Sequence, residues 1–398
     1  MSLNDTAPTD HAGMQAEAAA ILADLVGFPT VSGLPNGNIV DYIAARLECF
    51  GATTLIDRHA DGTRANVVAT FGDGLSGGVV LCGHMDVVPA DPAGWCADPF
   101  RLRRDGERLI GRGAVDMKGF LAMCLAAAPL IAAEAGRLKR PIHFIFTFDE
   151  EEGCFGAAQV GAFLAANGIA PAAAIVGEPT GMVPVSAHRA LLELTTTVTG
   201  SSGHASNPTG KVSAVHAASL LMAEIVRRAD ALSQSPHAQT PFLPPYATIN
   251  IGRVAGGEAR NAIANICHFD WEVRPLPYED GDAIFAGIES HAAALAQRLH
   301  ARDREASIKT EVIARCLGLA PHANCRAADL VRRLWTDEAP GVVSFGTDAG
   351  YLQAAGIDTV VFGPGEFAAM HQPEEWITDG QIAAGLTFIA RVVDDCCR

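Results

Sequence analysis

Pro141-Ile142-His143-Phe144-Ile145-Phe146-Thr147-Phe148-Asp149-Glu150-Glu151-Glu152-Gly153 is the stretch on which the reading of this chain turns. A β-branched and aromatic run of this length, stopped by a glycine, predicts a strand buried on both faces. Four acids then fall at its C-terminal end, the edge where open α/β sheets bind ligands. Four negative charges beside an apolar interior repel one another unless a cation or a proton intervenes. Taken alone, the cluster also reads as a solvated turn. Partners elsewhere in the chain must separate the two readings.

Such partners stand at the ends of neighbouring segments. Residues 66–71 and 78–82 predict strands, the second running into Gly83-His84-Met85-Asp86-Val87-Val88-Pro89. His84 and Asp86, two apart at a strand end, project to one side. That suits a ligating imidazole whose other nitrogen is held by a carboxylate. Asp116 follows the segment 109–113 and precedes a helix predicted over 120–133, where it is either a helix cap or a ligand. Residues 172–176 form a short strand delivering Gly177-Glu178-Pro179-Thr180. Late in the chain, strands over 341–345 and 359–362 lead into Gly346-Thr347-Asp348 and Gly363-Pro364-Gly365, and His371 follows. Convergence at one sheet edge carries more weight than any single member.

The remaining segments fill in around this frame. Residues 16–26 and 38–50 have helical spacing, with Asn38 as cap and Gly51 as stop. Gly72, Gly74 and Gly77 spell G-x-G-x-x-G after a strand, but that motif needs a helix at its end. Here Val79-Val80-Leu81 predicts another strand, so the glycines read as a hairpin loop. A helix is predicted over 156–167.

From His188 the rhythm changes. Strands over 190–199, 247–254, 263–273 and 307–314, with helices over 212–229 and 283–300, give the order β-α-β-β-α-β of a ferredoxin-like sandwich. Its first strand is expected at an exposed edge, free for self-pairing, which points to a dimer through this insertion. The expected fold class is α/β: a catalytic domain with a mostly parallel central sheet, in two parts (1–186 and 316–398), split by an α+β lid and dimerisation domain over 187–315. The proline-rich residues 233–245 read as a loop.

Composition sets outer bounds. A length of 398 residues favours two domains, and a hydrophobic fraction of 49% supplies their cores. A net charge of −16 argues against nucleic acid and anionic membranes as partners. The first residues show no basic-then-apolar secretory pattern. The Ala/Leu-rich stretch over 120–135 is too short to cross a bilayer. Ten scattered cysteines without a C-x-x-C pair suit a reducing cytoplasm, Cys396 and Cys397 alone being adjacent.

Collected, the candidates are His84 and His371, with Asp116, Glu150, Glu151 and Glu178, and with Asp86 behind His84. Two divalent ions need about five protein ligands, one of them bridging, and the supply matches. Nitrogen and oxygen ligands without thiolate suit Zn²⁺, with Co²⁺ or Mn²⁺ as alternatives. A remaining unligated Glu fits a general base in amide hydrolysis.

The segments around His84, Gly111-Arg112-Gly113-Ala114-Val115-Asp116-Met117-Lys118-Gly119, Asp149-Glu150-Glu151, Gly177-Glu178-Pro179-Thr180 and His371-Gln372-Pro373 resemble the di-zinc aminoacylase/carboxypeptidase family. The resemblance implies that Asp116 bridges both metals, that His84 and Glu178 complete one site, and that Glu151 and His371 complete the other. It further implies that Asp86 orients His84 and that Glu150 is the base. By the same resemblance His204, in Ser202-Gly203-His204-Ala205-Ser206, reaches the partner subunit's site to stabilise an oxyanion. Asn261 and Arg274 resemble contacts to a substrate carboxylate, Arg274 being able to hold one bidentately. An exposed strand-end arginine is the other reading of Arg274. The implied substrate is a small N-acyl amino acid, and the implied assembly a homodimer. Within Gly346-Thr347-Asp348, Asp348 is, on its charge, the candidate to bind a distal substrate ammonium, with Thr347 beside it. A basic cluster for a second substrate carboxylate would favour a succinyl rather than an acetyl group. A non-catalytic metal-binding protein would have no need of Glu150.

Overall fold

The computed structural model describes residues 11–398 and divides them into two units. The first holds the described residues through Ala187, with Pro321–Gly341 and Thr347–Arg398; the second holds His188–Ala320 and Val342–Gly346.

An eight-stranded sheet organises the first unit. Its order is Thr53–Arg58, Ala65–Phe71, Ile142–Thr147, Val79–His84, Ala173–Val176, Asp358–Val361, Val185–His188 and Gly341–Val343. The four central strands, Ile142–Thr147 through Asp358–Val361, are parallel, and antiparallel pairs flank them. Central strands buried on both faces are what the apolar run at Ile142 predicts. Every residue of Ile142–Thr147 is buried. One face packs on helices His11–Val26, Lys118–Glu134 and Asp379–Cys396, and Phe155–Ala166 and Ala349–Ala354 lie elsewhere against the sheet. The helical run Lys118–Arg137 is longer than the stretch 120–135 read from sequence, and it is apolar and long enough to cross a membrane, but Lys118–Glu134 within it is a core helix, passing through Pro129 and buried through its first three turns.

Two expectations change here, and one element is new. The loop carrying Gly72, Gly74 and Gly77 is not a hairpin, because Ile142–Thr147 lies between the strands it joins. The loop spans two strand spacings, about 10 Å, rather than one. A strand and not a helix follows it, as expected. Asn38 lies inside the helix Gly37–Cys49; the cap position is Asn36, whose amide is used on the backbone of Ala65. The C-terminal helix Asp379–Cys396, opened by a Thr378/Gln381 capping box, was not anticipated. It buries Cys396 and leaves Cys397 half-buried, and no disulfide forms among the described residues, which include all ten cysteines.

The second unit is a four-stranded antiparallel sheet, ordered Thr248–Gly256, Ile266–Arg274, Leu191–Thr199, Ser307–Cys316. Helices Ala214–Ser233 and Gly281–Arg302 pack on it over a core that includes Leu194, Leu221, Phe269 and Leu295. The order and connections are ferredoxin-like. Leu191–Thr199 is central, with a partner on each side, so the expected self-pairing edge is wrong. Its alternating burial arises because one face meets the helices and the other does not. The true edges are Thr248–Gly256 and Ser307–Cys316. The proline-rich loop is fastened by Arg189, which donates to the carbonyls of Pro244 and Tyr246.

Candidate metal centre

Strand register builds the centre. His84 pairs with Thr147 and Cys82 with Val176, so Glu178, two residues beyond Val176, is level with His84. The acidic segment Asp149 to Glu152 leaves the sheet beside them. A Cβ on Gly363 would sit 2.2 Å from the carbonyl oxygen of Gly177, so glycine is needed where the Glu178 loop is pressed against its neighbour.

Asp116 is not a helix cap. Met117 occupies that position, and the Asp116 carboxylate lies between two imidazoles instead. Its Oδ1 is 3.0 Å from Nε2 of His84, and its Oδ2 is 3.0 Å from Nε2 of His371. Glu178 Oε1 is 3.8 Å from the same nitrogen of His84, and the Glu151 oxygens are 3.2 and 3.0 Å from that of His371. Two groups of possible ligands result, His84/Asp116/Glu178 and Asp116/Glu151/His371, sharing Asp116. Glu150 joins neither, standing instead with Cys154 and Asp348.

The donor set fits divalent cations on its own chemistry. His84 Nδ1 lies 2.9 Å from the backbone carbonyl of Asp86, which must accept its proton. Nε2 then presents a lone pair toward the oxygens of Asp116 and Glu178, acceptor facing acceptors. Only a proton or a cation resolves that arrangement. Without a cation a proton does so. Burial works against a charged His84, but Asp116 and Asp86 outweigh it and hold the imidazole well above its usual range. Hydrogen bonds to Asp116 and Glu151 carry His371 up to about 10. Burial, followed by the charge of Asp116, pushes Glu151 up to about 7 and Glu178 well above the carboxylate range. Glu150 is raised chiefly by burial, with Glu178, Glu151 and Asp348 adding repulsion.

Asp86, expected behind His84, does more than that, and other supports had no clear signal in the sequence. The Asp86 carboxylate is 3.6 Å from His84, farther than its own backbone oxygen. It accepts from Ser32 Oγ at 2.6 Å and from the amides of Glu150 and Glu151 at 3.0 and 3.2 Å. Asp86 thus pins the acidic turn as well as standing behind His84. Asp149 is spent on the Gly33 amide and on Arg64. Glu375 pairs with buried Arg112 at 2.6 Å and accepts from the amides of Val115 and Asp116 at 3.0 and 3.1 Å, fixing the bridging residue's backbone. Its place close after His371 was a hint.

The other expected residues divide. His204 and Asn261 are exposed; His204 pairs with Ala262 in a two-stranded ribbon, and Asn261 immediately precedes that ribbon in a turn. Nδ1 of His204 is 2.7 Å from Ser206 Oγ. Arg274 is half-buried and already bonded twice to Glu272, at 3.0 and 2.9 Å. Thr347 and Asp348 do not suit substrate contact. Thr347 is buried, and Asp348 is 1% exposed with Oδ2 accepting from Thr147 at 2.6 Å. Charge alone suggested an ammonium ligand, but burial removes it from reach.

A parallel-centred α/β sheet ending in a shared-carboxylate, two-histidine centre defines a metal-dependent hydrolase. The family described as Peptidase family M20/M25/M40 matches residues 80–395, and the chain belongs to it. Its relatives include an acetylornithine deacetylase of Myxococcus xanthus, 33% identical over 95% of this chain and 97% of that one. Another, from Pasteurella multocida, is 28% identical over 94% and 96%. Among solved structures, an M20 family metallo-carboxypeptidase of Sulfolobus solfataricus superposes with TM-score 0.73 at 15% identity, covering 96% of this chain and 99% of that one. A dinuclear metal binding peptidase of Bacillus subtilis does so with TM-score 0.63 at 16% identity, covering 96% and 98%.

Proposed function

We propose that this enzyme hydrolyses the amide of N²-acetyl-L-ornithine to acetate and L-ornithine, a step of arginine biosynthesis. The observation that carries the reading is Asp116, one carboxylate shared by two imidazole–carboxylate groups, with Glu150 beside them and outside both. The acetylornithine deacetylases that match nearly the full chain support the substrate.

Two divalent cations, Zn²⁺ foremost and Co²⁺ or Mn²⁺ as alternatives, would be held by His84, Asp116 and Glu178 and by Asp116, Glu151 and His371. They would polarise the amide carbonyl and acidify a water. Glu150 takes the proton of the attacking water and passes it to the departing nitrogen as the C–N bond breaks. Asp86 steadies His84 and the turn that carries Glu150. On the second unit, Asn261 and Arg274 hold the substrate carboxylate, which requires Arg274 to share or release Glu272. His204 is the imidazole that a second copy offers to the oxyanion, in a homodimer formed through the second unit. The free edges Thr248–Gly256 and Ser307–Cys316, and exposed Leu220 and Val226 on helix Ala214–Ser233, support that assembly. A cytoplasmic location belongs to the same reading and rests on the absence of disulfides among the described residues.

The test is acyl release by the zinc- or cobalt-loaded protein from N²-acetylornithine, N-succinyl-diaminopimelate and N-acetylmethionine. Preference for acetylornithine is expected. Equal rates on all three remove the substrate assignment, and succinate release in preference reassigns it.

A further inference from the structure

Behind Glu150 lies a third group of side chains that neither imidazole joins. A carboxylate oxygen of Glu150, Sγ of Cys154 and a carboxylate oxygen of Asp348 lie within 4.8 Å of one another. The buried Cys154 thiol donates to Oε1 of Glu150 across 3.7 Å. It also bonds toward Asp348, so two carboxylates converge on one thiol. Asp348 cannot turn away, because Thr147 Oγ1 holds its Oδ2 at 2.6 Å.

The backbone at Cys154 supplies an independent argument. Its φ of 56° is left-handed, a conformation that costs a non-glycine residue about 1 kcal/mol and that glycine adopts freely. A side chain is kept at a position that favours having none. The choice of thiol is also reasoned: a strong donor on a carboxylate lowers its basicity, whereas a weak S–H fixes its direction at little cost. Asp86 already holds the backbone amides of Glu150 and Glu151. What remains free is the Glu150 side chain, and Cys154 and Asp348 bear on it.

We propose that Cys154 and Asp348 are positioning residues for Glu150: the thiol holds Oε1, the Asp348 carboxylate closes the space behind it, and Oε2 is left to face the reacting water. The proposal rests on Glu150 being the base, and it moves Asp348 from substrate recognition to catalytic support.

Two measurements test it. The infrared S–H stretch of Cys154, isolated as wild type minus Cys154→Ser, should lie at a hydrogen-bonded wavenumber and move upward in Glu150→Gln. A band at the free-thiol position, or one that ignores Glu150→Gln, overturns the proposal whatever the protein hydrolyses. In kinetics, Cys154→Ala should lower kcat about five- to tenfold with KM and bound metal unchanged, and Cys154→Ser should restore only part of it, since its stronger O–H donor positions Glu150 but lowers its basicity. Unchanged kcat in Cys154→Ala refutes the thiol's role. Asp348→Asn should slow acetylornithine and acetylmethionine in the same ratio; selective loss on acetylornithine would return Asp348 to substrate binding. A wild type inactive on both substrates would sink the proposed function, while the infrared band would still decide this inference.

Discussion

The two halves of the metal centre share a carboxylate and little else. His84 and Glu178 stand at the ends of adjacent parallel strands, level by register and buried. His371 sits in a loop with a left-handed φ of 57°, its side chain 48% exposed, and meets Glu151 from the acidic turn. One half is fixed by the sheet before any ligand arrives. The other depends on a loop and a turn, and it is the half that opens to solvent. The His84 half should therefore bind its cation more tightly and lose it last.

The largest effect sharpens what lies outside both halves. Glu150→Gln should reduce kcat about 10³-fold while two cations remain bound, by acetate-release assay and metal analysis on the same sample. Loss of a cation would make Glu150 a ligand and exchange its role with that of Glu151. Next, Asp116→Ala should empty both halves on dialysis, whereas His371→Ala should retain one cation per chain. Equal losses would erase the difference between the halves.

Protons give a subtler test. Without cations, His371 is held at about 10 and His84 is also raised, so both are protonated at neutral pH. Ligation requires the neutral ring, so cation binding at pH 7 should release protons, and affinity should rise with pH up to about 10. Calorimetry in two buffers of different ionisation enthalpy measures the release; none would contradict the protonated pair. The smallest effect is expected for Ser32→Ala, which removes the hydroxyl at 2.6 Å from Asp86. Affinity in the His84 half should fall about tenfold, with a smaller fall in the His371 half, whose Glu151 amide rests on the same Asp86 oxygen.

The same contrast explains what could be read from the chain. Strand ends were readable because apolar runs announce their own length, and His84, Glu150, Glu151 and Glu178 follow such runs directly. Asp116 stayed ambiguous until its carboxylate was seen between two rings, since cap and ligand look alike in one dimension. Pairing was the weakest inference: nothing local says that Ile142–Thr147 inserts beside Ala65–Phe71, or that Leu191–Thr199 has two neighbours. The C-terminal helix did carry a signal, Ile382, Leu386, Ile389 and Val393 at helical spacing after Thr378. Asp348 went astray because charge is visible in a sequence and depth is not.

The most direct test of the account is anomalous diffraction from crystals of the zinc-loaded enzyme. It predicts two zinc peaks, one against His84 and Glu178, one against His371 and Glu151, with an oxygen of Asp116 at each. A single peak, or two peaks that do not share Asp116, would contradict it.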